Sequence, residues 1–319
     1  MYSTSTQKKE WTFSSRQEIL KLRKAANERF RMRYGSVIAA GEEEMFLTPN
    51  EEAILCKIVT ETGIRFSEGF RPTMWPSVRW TAFAYFKRFF LHHSTMEYSP
   101  KNIMMACFYL AAKVDEFNLS IGDFVANLQS GTAQSNSDTI LKLEPEIMHK
   151  LKFHLTIHAP FRPFEGHLID MKTRSLLGFD LEQVRPHSSE FFKKALFGDV
   201  MLLYPPSQIA LAALKYALFR LDKSEDLLKD QFLYKLLNIE TWQSQNAQLE
   251  ICDKLLKRLD EIIECVLTEA QLHTKEEAAS LHEKINRWVR IVSDLNRRLR
   301  LSQSDKTETN NSNNISDDD

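Results

Sequence analysis

Glycine is scarce in this chain: there are 9 in 319 residues, less than half of the usual ~7%. Tight turns between strands and loops that cradle phosphate both consume glycine. The chain has few places for either, and a helical protein is expected. Cysteine is also sparse. Cys56, Cys107, Cys252 and Cys265 include no C-x-x-C pair, which removes the common zinc and redox motifs. Their neighbours are apolar, so they read as buried reduced thiols. No long hydrophobic run exists. The longest, Ile103 to Ala112, is far short of the ~20 residues a membrane helix needs, and the polar N-terminus lacks a signal-peptide core. The net charge is -1, so no global field draws nucleic acid or a membrane surface.

Catalytic signatures are missing too. The sequence contains no G-x-G, no G-x-x-x-x-G-K-[ST], no G-x-S-x-G elbow, no H-E-x-x-H and no kinase H-R-D or D-F-G, each of which places specific groups on phosphate, acyl or metal chemistry. His154 and His158 are four apart, but Pro160 and Pro163 follow closely and bend the stretch, so the pair is not read as a metal site. The basic run Arg297-Arg298-Leu299-Arg300 reads as a solvated helix end, where cations complement the helix dipole. No cofactor is expected, and the residues point to a binding protein rather than a catalyst.

What is present is helical periodicity. Ser15 with Glu18 forms a capping-box pattern that opens a charged helix through Leu20, Leu22 and Phe30. A linker over 35–49 carries Gly35, Gly41 and Pro49. A helix follows from Asn50 to about Phe66, then another from Pro76 to Leu91. Ser99-Pro100 is a strong start signal, and the helix it opens is apolar on every side, as a central helix must be. Residues 129–139 are expected to be a polar surface loop. Beyond residue 245 lie two amphipathic helices. One carries Leu249, Leu256, Leu259, Ile263 and Val266, the other Leu281, Ile285, Trp288, Val292, Leu295 and Leu299. The second set is expected to pack back on its own domain, with packing on a partner helix as the alternative. The Ser/Asn/Asp-rich residues 302–319 are expected to be disordered.

The second half repeats the first at a shift of 106 residues. Phe86-Lys87 falls on Phe192-Lys193, Tyr98 on Tyr204, Pro100 on Pro206, Ile103 on Ile209, Ala106 on Ala212 and Ala111 on Ala217. Two copies of one helical module are expected, each around an apolar central helix.

That central helix ends Leu110-Ala111-Ala112-Lys113-Val114-Asp115-Glu116, which resembles the L-A-x-K-x-x-E stretch of the cyclin family. Further stretches resemble its H-type members: Glu10-Trp11-Thr12-Phe13-Ser14-Ser15, Tyr85-Phe86-Lys87-Arg88-Phe89, Arg162-Pro163-Phe164-Glu165-Gly166 and Pro206-Ser207-Gln208-Ile209-Ala210-Leu211. The likeness runs from about residue 1 to 220. It implies an all-α fold of two tandem five-helix cyclin boxes with flanking helices: an N-terminal helix and linker over 1–49, a first box over 50–160, a second over 161–270, a C-terminal helix over 271–301 and a tail over 302–319.

The resemblance also implies a function. Such a cyclin binds and switches on the kinase that activates cyclin-dependent kinases, together with a RING-finger assembly factor. The same trio belongs to the transcription factor IIH core in the nucleus and phosphorylates the polymerase II tail. No direct nucleic-acid or membrane partner is implied. Lys113 and Glu144 match the family residues that bond to the kinase's movable helix, and Leu110, Val114 and Met148 match apolar contact positions that serve equally well as core. Pro145 directly follows Glu144, so the helix either starts there or is kinked there. Cell-cycle members dock substrates on an M-R-A-I-L motif. Here Glu51-Glu52-Ala53-Ile54-Leu55 stands in its place, and loss of that docking is expected. The alternatives are another transcription-type cyclin with a different kinase, or a cyclin-fold DNA-binding protein like transcription factor IIB, whose strongly basic face this charge balance does not match.

Overall fold

The computed structural model describes residues 2–174, 178–236 and 245–313. Among them there is no strand, and no helix is long and apolar enough to cross a membrane. After a short helix α1 (Thr6–Glu10) come α2 (Arg16–Arg33), α3 (Pro49–Gly69), α4 (Pro76–Phe89), α5 (Pro100–Val114), α6 (Ile121–Val125) and α7 (Ala133–Lys150). The second repeat holds α8 (Phe161–Arg174), α9 (Val184–Ala195), α10 (Val200–Leu203), α11 (Pro206–Arg220), α12 (Glu225–Leu228), α13 (Tyr234–Leu236) and α14 (Gln245–Glu269), and α15 (Lys275–Asn313) follows.

The 106-residue repeat is a structural one. The two central helices, α5 and α11, begin and end at matching positions. Ile103 and Ile209, Ala106 and Ala212, and Ala111 and Ala217 are all buried. Even the helix stops coincide. Glu116 (φ 57°) and Asp222 (φ 52°) both take the left-handed conformation. Phe117 N–H reaches Ala112 O at 2.8 Å, and Lys223 N–H reaches Leu218 O at 3.0 Å. This double-bonded cap normally uses glycine; here acidic residues take it in both copies, which is how a glycine-poor chain still terminates its central helices.

The chain divides into two compact units. One comprises Met1–Glu18, Thr60–Phe89 and Lys101–Leu272. In its first half Gly63 lets α3 pass close to α4 and α5, since a Cβ there would meet Phe83 at 3.3 Å and Met104 and Phe108 at 3.4 Å. In its second half α11 is wrapped by α8, α9 and α14. The N-terminal segment is strapped across the turn that joins the two repeats. Trp11 Nε1 donates to His154 Nδ1 at 3.1 Å, the Arg88 guanidinium lies 5.1 Å from the Trp11 ring, and Gln7 accepts from His158 N–H at 2.7 Å. Arg88 also donates to His154 O, and burial lowers its pKa to about 10.

The other unit comprises Ile19–Val59, Phe90–Pro100 and His273–Asp319. Its core joins Phe30, Tyr34, Phe46, Leu47 and Met96 to Leu281, Trp288 and Leu295 of α15, with Ile285, Val292 and Leu299 packed beside them. The apolar stripe read from the sequence thus packs back on its own chain.

Two sequence expectations need correction. Residues 133–139 are not loop but the start of α7, because Thr132 caps the helix by accepting from Ser135 N–H at 3.2 Å. The polar residues there form the helix's solvated face. Second, α15 continues as backbone to Asn313, past the 301 boundary. Its apolar packing ends at Leu299, and 314–319 lie outside the described residues. None of the four cysteines is in a disulfide; Cys107 and Cys252 are buried and Cys56 and Cys265 half-buried.

Candidate functional site

The last turn of α5 and the middle of α7 meet at one surface. Lys113 Nζ lies 2.5 Å from Glu144 Oε1, the lysine side chain half exposed at 50% and the glutamate nearly covered at 7%. The Lys113 ammonium also sits 5.4 Å from the centre of the Tyr109 ring, one turn earlier on α5. A cation held by a carboxylate and an aromatic face keeps its stem fixed and its head at the surface. The helix stop at Glu116 fixes where this lysine leaves α5, since Lys113 O itself accepts from Glu116 N–H. Just beyond, burial holds the Asp115 carboxyl above its ordinary value, against hydrogen bonds from Ser77 and Thr81.

Glu144 is brought here by a helix that neither begins nor restarts at Pro145. The helix α7 runs from Ala133 to Lys150 with the proline inside it. Proline removes the bond that would go to the carbonyl four residues back, at Leu141. Both Pro145 and Leu141 are exposed, so the proline lies on the solvated side of the helix while Glu144 is buried.

The other expected contact residues divide by depth. Val114, next to Lys113 on α5, and Met148, one turn beyond Glu144 on α7, are half-buried. Leu110 is 2% exposed and belongs to the core, so it supports the surface from beneath. The structure therefore brings Lys113 and Glu144 together as a pair with only the lysine exposed, and leaves Val114 and Met148 half-buried. Tyr109 was missed by sequence reasoning. The signal was its place four residues before Lys113, one helical turn away.

The segment that stands where cell-cycle members dock substrates is engaged within its own chain. Glu51 is paired with Lys284 of α15 at 2.8 Å. Glu52 is buried, accepting from Thr95 N–H at 3.0 Å and from the Ser94 hydroxyl, and burial raises its pKa. Ile54 and Leu55 pack against the cluster that α15 completes. This segment is covered by the chain's own C-terminal helix.

For metals, no group of three or more His, Cys, Asp or Glu among the described residues is arranged to hold an ion. The ring of His154 serves Trp11 instead.

Comparison with known proteins fits this arrangement. Residues 69–156 match the family model for the cyclin N-terminal domain, and residues 159–293 match that for the cyclin C-terminal domain. Cyclin-H of Xenopus laevis is 44% identical over 217 residues, 67% of this chain and 67% of the frog protein. A chain in the CAK complex of Chaetomium thermophilum bound to ATP-gamma-S superposes with a TM-score of 0.69 at 22% identity, covering 100% of this chain and 96% of that one. A chain in the yeast TFIIK (Kin28/Ccl1/Tfb3) complex gives 0.59 at 24% identity, covering 83% and 100%. At those identities the two structures share the fold.

Proposed function

This chain belongs to the cyclin family, in its H branch, and from that membership we propose that it is the non-catalytic regulatory subunit of a cyclin-dependent-kinase-activating kinase. The observation that carries the reading is the surface formed by Lys113 and Glu144. Three ammonium donors and a carboxylate stand beside half-buried Val114 and Met148 on two rigid helices, and such a group recognises the end and flank of a partner helix. The partner helix is the movable one of the kinase, with which Lys113 and Glu144 exchange their mutual contact for intermolecular ones.

The mechanism is a shift of populations. A kinase whose internal Lys–Glu pair is unformed is inactive. A cyclin that binds only the assembled arrangement draws the kinase toward it by its differential affinity. The complex then phosphorylates activation loops of cyclin-dependent kinases and the tail of RNA polymerase II. A RING-finger assembly factor and the transcription factor IIH core complete the set of partners, and the site of action is the nucleus. Substrates dock elsewhere than on residues 51–55, a reading supported by the cover that α15 lays over them.

The test is reconstitution. The purified chain is mixed with the activating kinase, with and without the assembly factor, and phosphate transfer to a polymerase-tail peptide is followed. Activation over the kinase alone is expected; no binding and no activation would overturn the regulatory-subunit reading.

A further inference from the structure

The end of α5 that carries Lys113 also holds a large aromatic side chain that the fold covers only in part. Trp75 is 48% exposed, whereas Trp11, Trp80 and Trp288 are buried. It directly precedes Pro76, the first residue of α4. A residue before proline is kept out of the helical conformation. Trp75 therefore stays outside α4 while its carbonyl starts the helix, accepting from Arg79 N–H at 3.2 Å.

Two stitches fix this helix start against the end of α5. The Asp115 carboxylate accepts from the Thr81 hydroxyl, each of its oxygens at 3.3 Å, and from Ser77. The Trp75 ring meets the Phe117 ring edge to face, with 5.2 Å between centres and 74° between planes. Phe117 is buried, and its N–H is bonded to Ala112 O at 2.8 Å across the helix stop at Glu116. That stop also fixes Lys113, so one helix end positions both the cation and the indole. Glu116 and Asn118, on either side of Phe117, are exposed and polar.

We propose that Trp75 is a further kinase-binding residue, an aromatic anchor whose open face covers an apolar side chain of the same kinase that Lys113 and Glu144 hold. The inference rests on the regulatory-subunit reading above and deepens it. Three observations favour this partner. Trp75 is continuous with the Lys113 surface through Asp115 and Phe117, so a partner seated on the lysine lies beside the indole. An exposed tryptophan ringed by polar residues has the make-up of an interface hot spot and its rim. Its indole N–H meets no acceptor among the described residues, which leaves a donor for a partner carbonyl. The contact with Phe117 already orders the ring, so little side-chain freedom remains to be lost on binding. The charged pair would then give direction to the contact, and the indole would add apolar area.

The experiment uses the full chain and the kinase. Trp75→Ala is expected to bind the kinase at least tenfold more weakly, and Trp75→Phe to recover most of that loss. A second readout separates contact from a merely structural effect. In a fluorotryptophan-labelled chain, the resonance missing from Trp75→Phe identifies residue 75. Its broadening by a soluble paramagnetic quencher is expected to be strong in the free chain and to be lost when the kinase binds. Wild-type affinity in Trp75→Ala, or a resonance still open to the quencher in the complex, would overturn the proposal. If Lys113→Ala weakens binding while the residue-75 signal stays open, only this inference falls. If the wild-type chain does not bind the kinase at all, the regulatory-subunit reading falls and takes this inference with it.

Discussion

Single residues set both the reach of the binding surface and the stops of its helices. Lys113 is half exposed while Glu144 is covered, so removing the cation leaves a covered carboxylate without its partner. Lys113→Ala is expected to lower folding stability by about 1–3 kcal/mol, the cost of a buried acceptor left unsatisfied, and to weaken kinase binding by on the order of 2–5 kcal/mol. Calorimetric melting and titration on the same samples separate the two. Lys152 gives a converse case. It ends α7 in the left-handed region at φ 54°, a conformation that costs an L-residue roughly 1–2 kcal/mol. Lys152→Gly is expected to stabilise the chain by about 1 kcal/mol in a denaturant titration.

At the scale of elements, the N-terminal strap and the α2–α3 region carry the predictions. Trp11 is buried against Arg88 and bonded to His154. Trp11→Ala is expected to cost ~3 kcal/mol or more, and Trp11→Phe only ~1 kcal/mol for the lost hydrogen bond, in thermal melts. Glu52 of α3 has its pKa raised above the ordinary 4.5 by burial. The folded chain therefore holds a proton that the unfolded chain has released, and stability falls as pH rises from 4.5 through the folded value. Glu52→Gln is expected to raise the melting temperature at neutral pH and to have no such effect at pH well below 4.5. A gain that persists undiminished in acid would contradict the assignment. Much of this scale was legible in the sequence. The Ser99-Pro100 start and the unbroken apolar run of α5 could hardly mark anything but a central helix, and the 106-residue register located its twin. The start of α7 was not legible, because a polar exposed helix face and a polar loop share a composition, and only the Thr132 cap distinguishes them. The fate of Glu52 was hidden for a similar reason: its partners Ser94 and Thr95 lie far along the chain.

For the whole molecule, the two units have separate cores. In one, α15 supplies Leu281, Trp288 and Leu295 to a cluster whose other members come from before residue 100. A chain ending before Lys275 would leave Phe30, Phe46 and Met96 without that cover. Amides of α2 and of the first turns of α3 are expected to lose hydrogen-exchange protection, while those of α11 keep theirs. Equal loss in both places would show that the units fold only together. The candidate site belongs to the other unit, where α5 and α7 hold it. Its five residues were named from the family resemblance. Chemistry alone could not have chosen Lys113 among the many surface lysines, and only depth in the fold separates Leu110 from Val114 and Met148.

The most direct test is the affinity of the activating kinase for the wild-type chain, Lys113→Ala, Glu144→Gln and the double variant. The account predicts that each single change weakens binding at least tenfold. It also predicts that the double variant loses clearly less than the sum, because the two groups contact each other and one partner helix. Wild-type affinity in both single variants would contradict it, and would move the kinase to another face of the molecule.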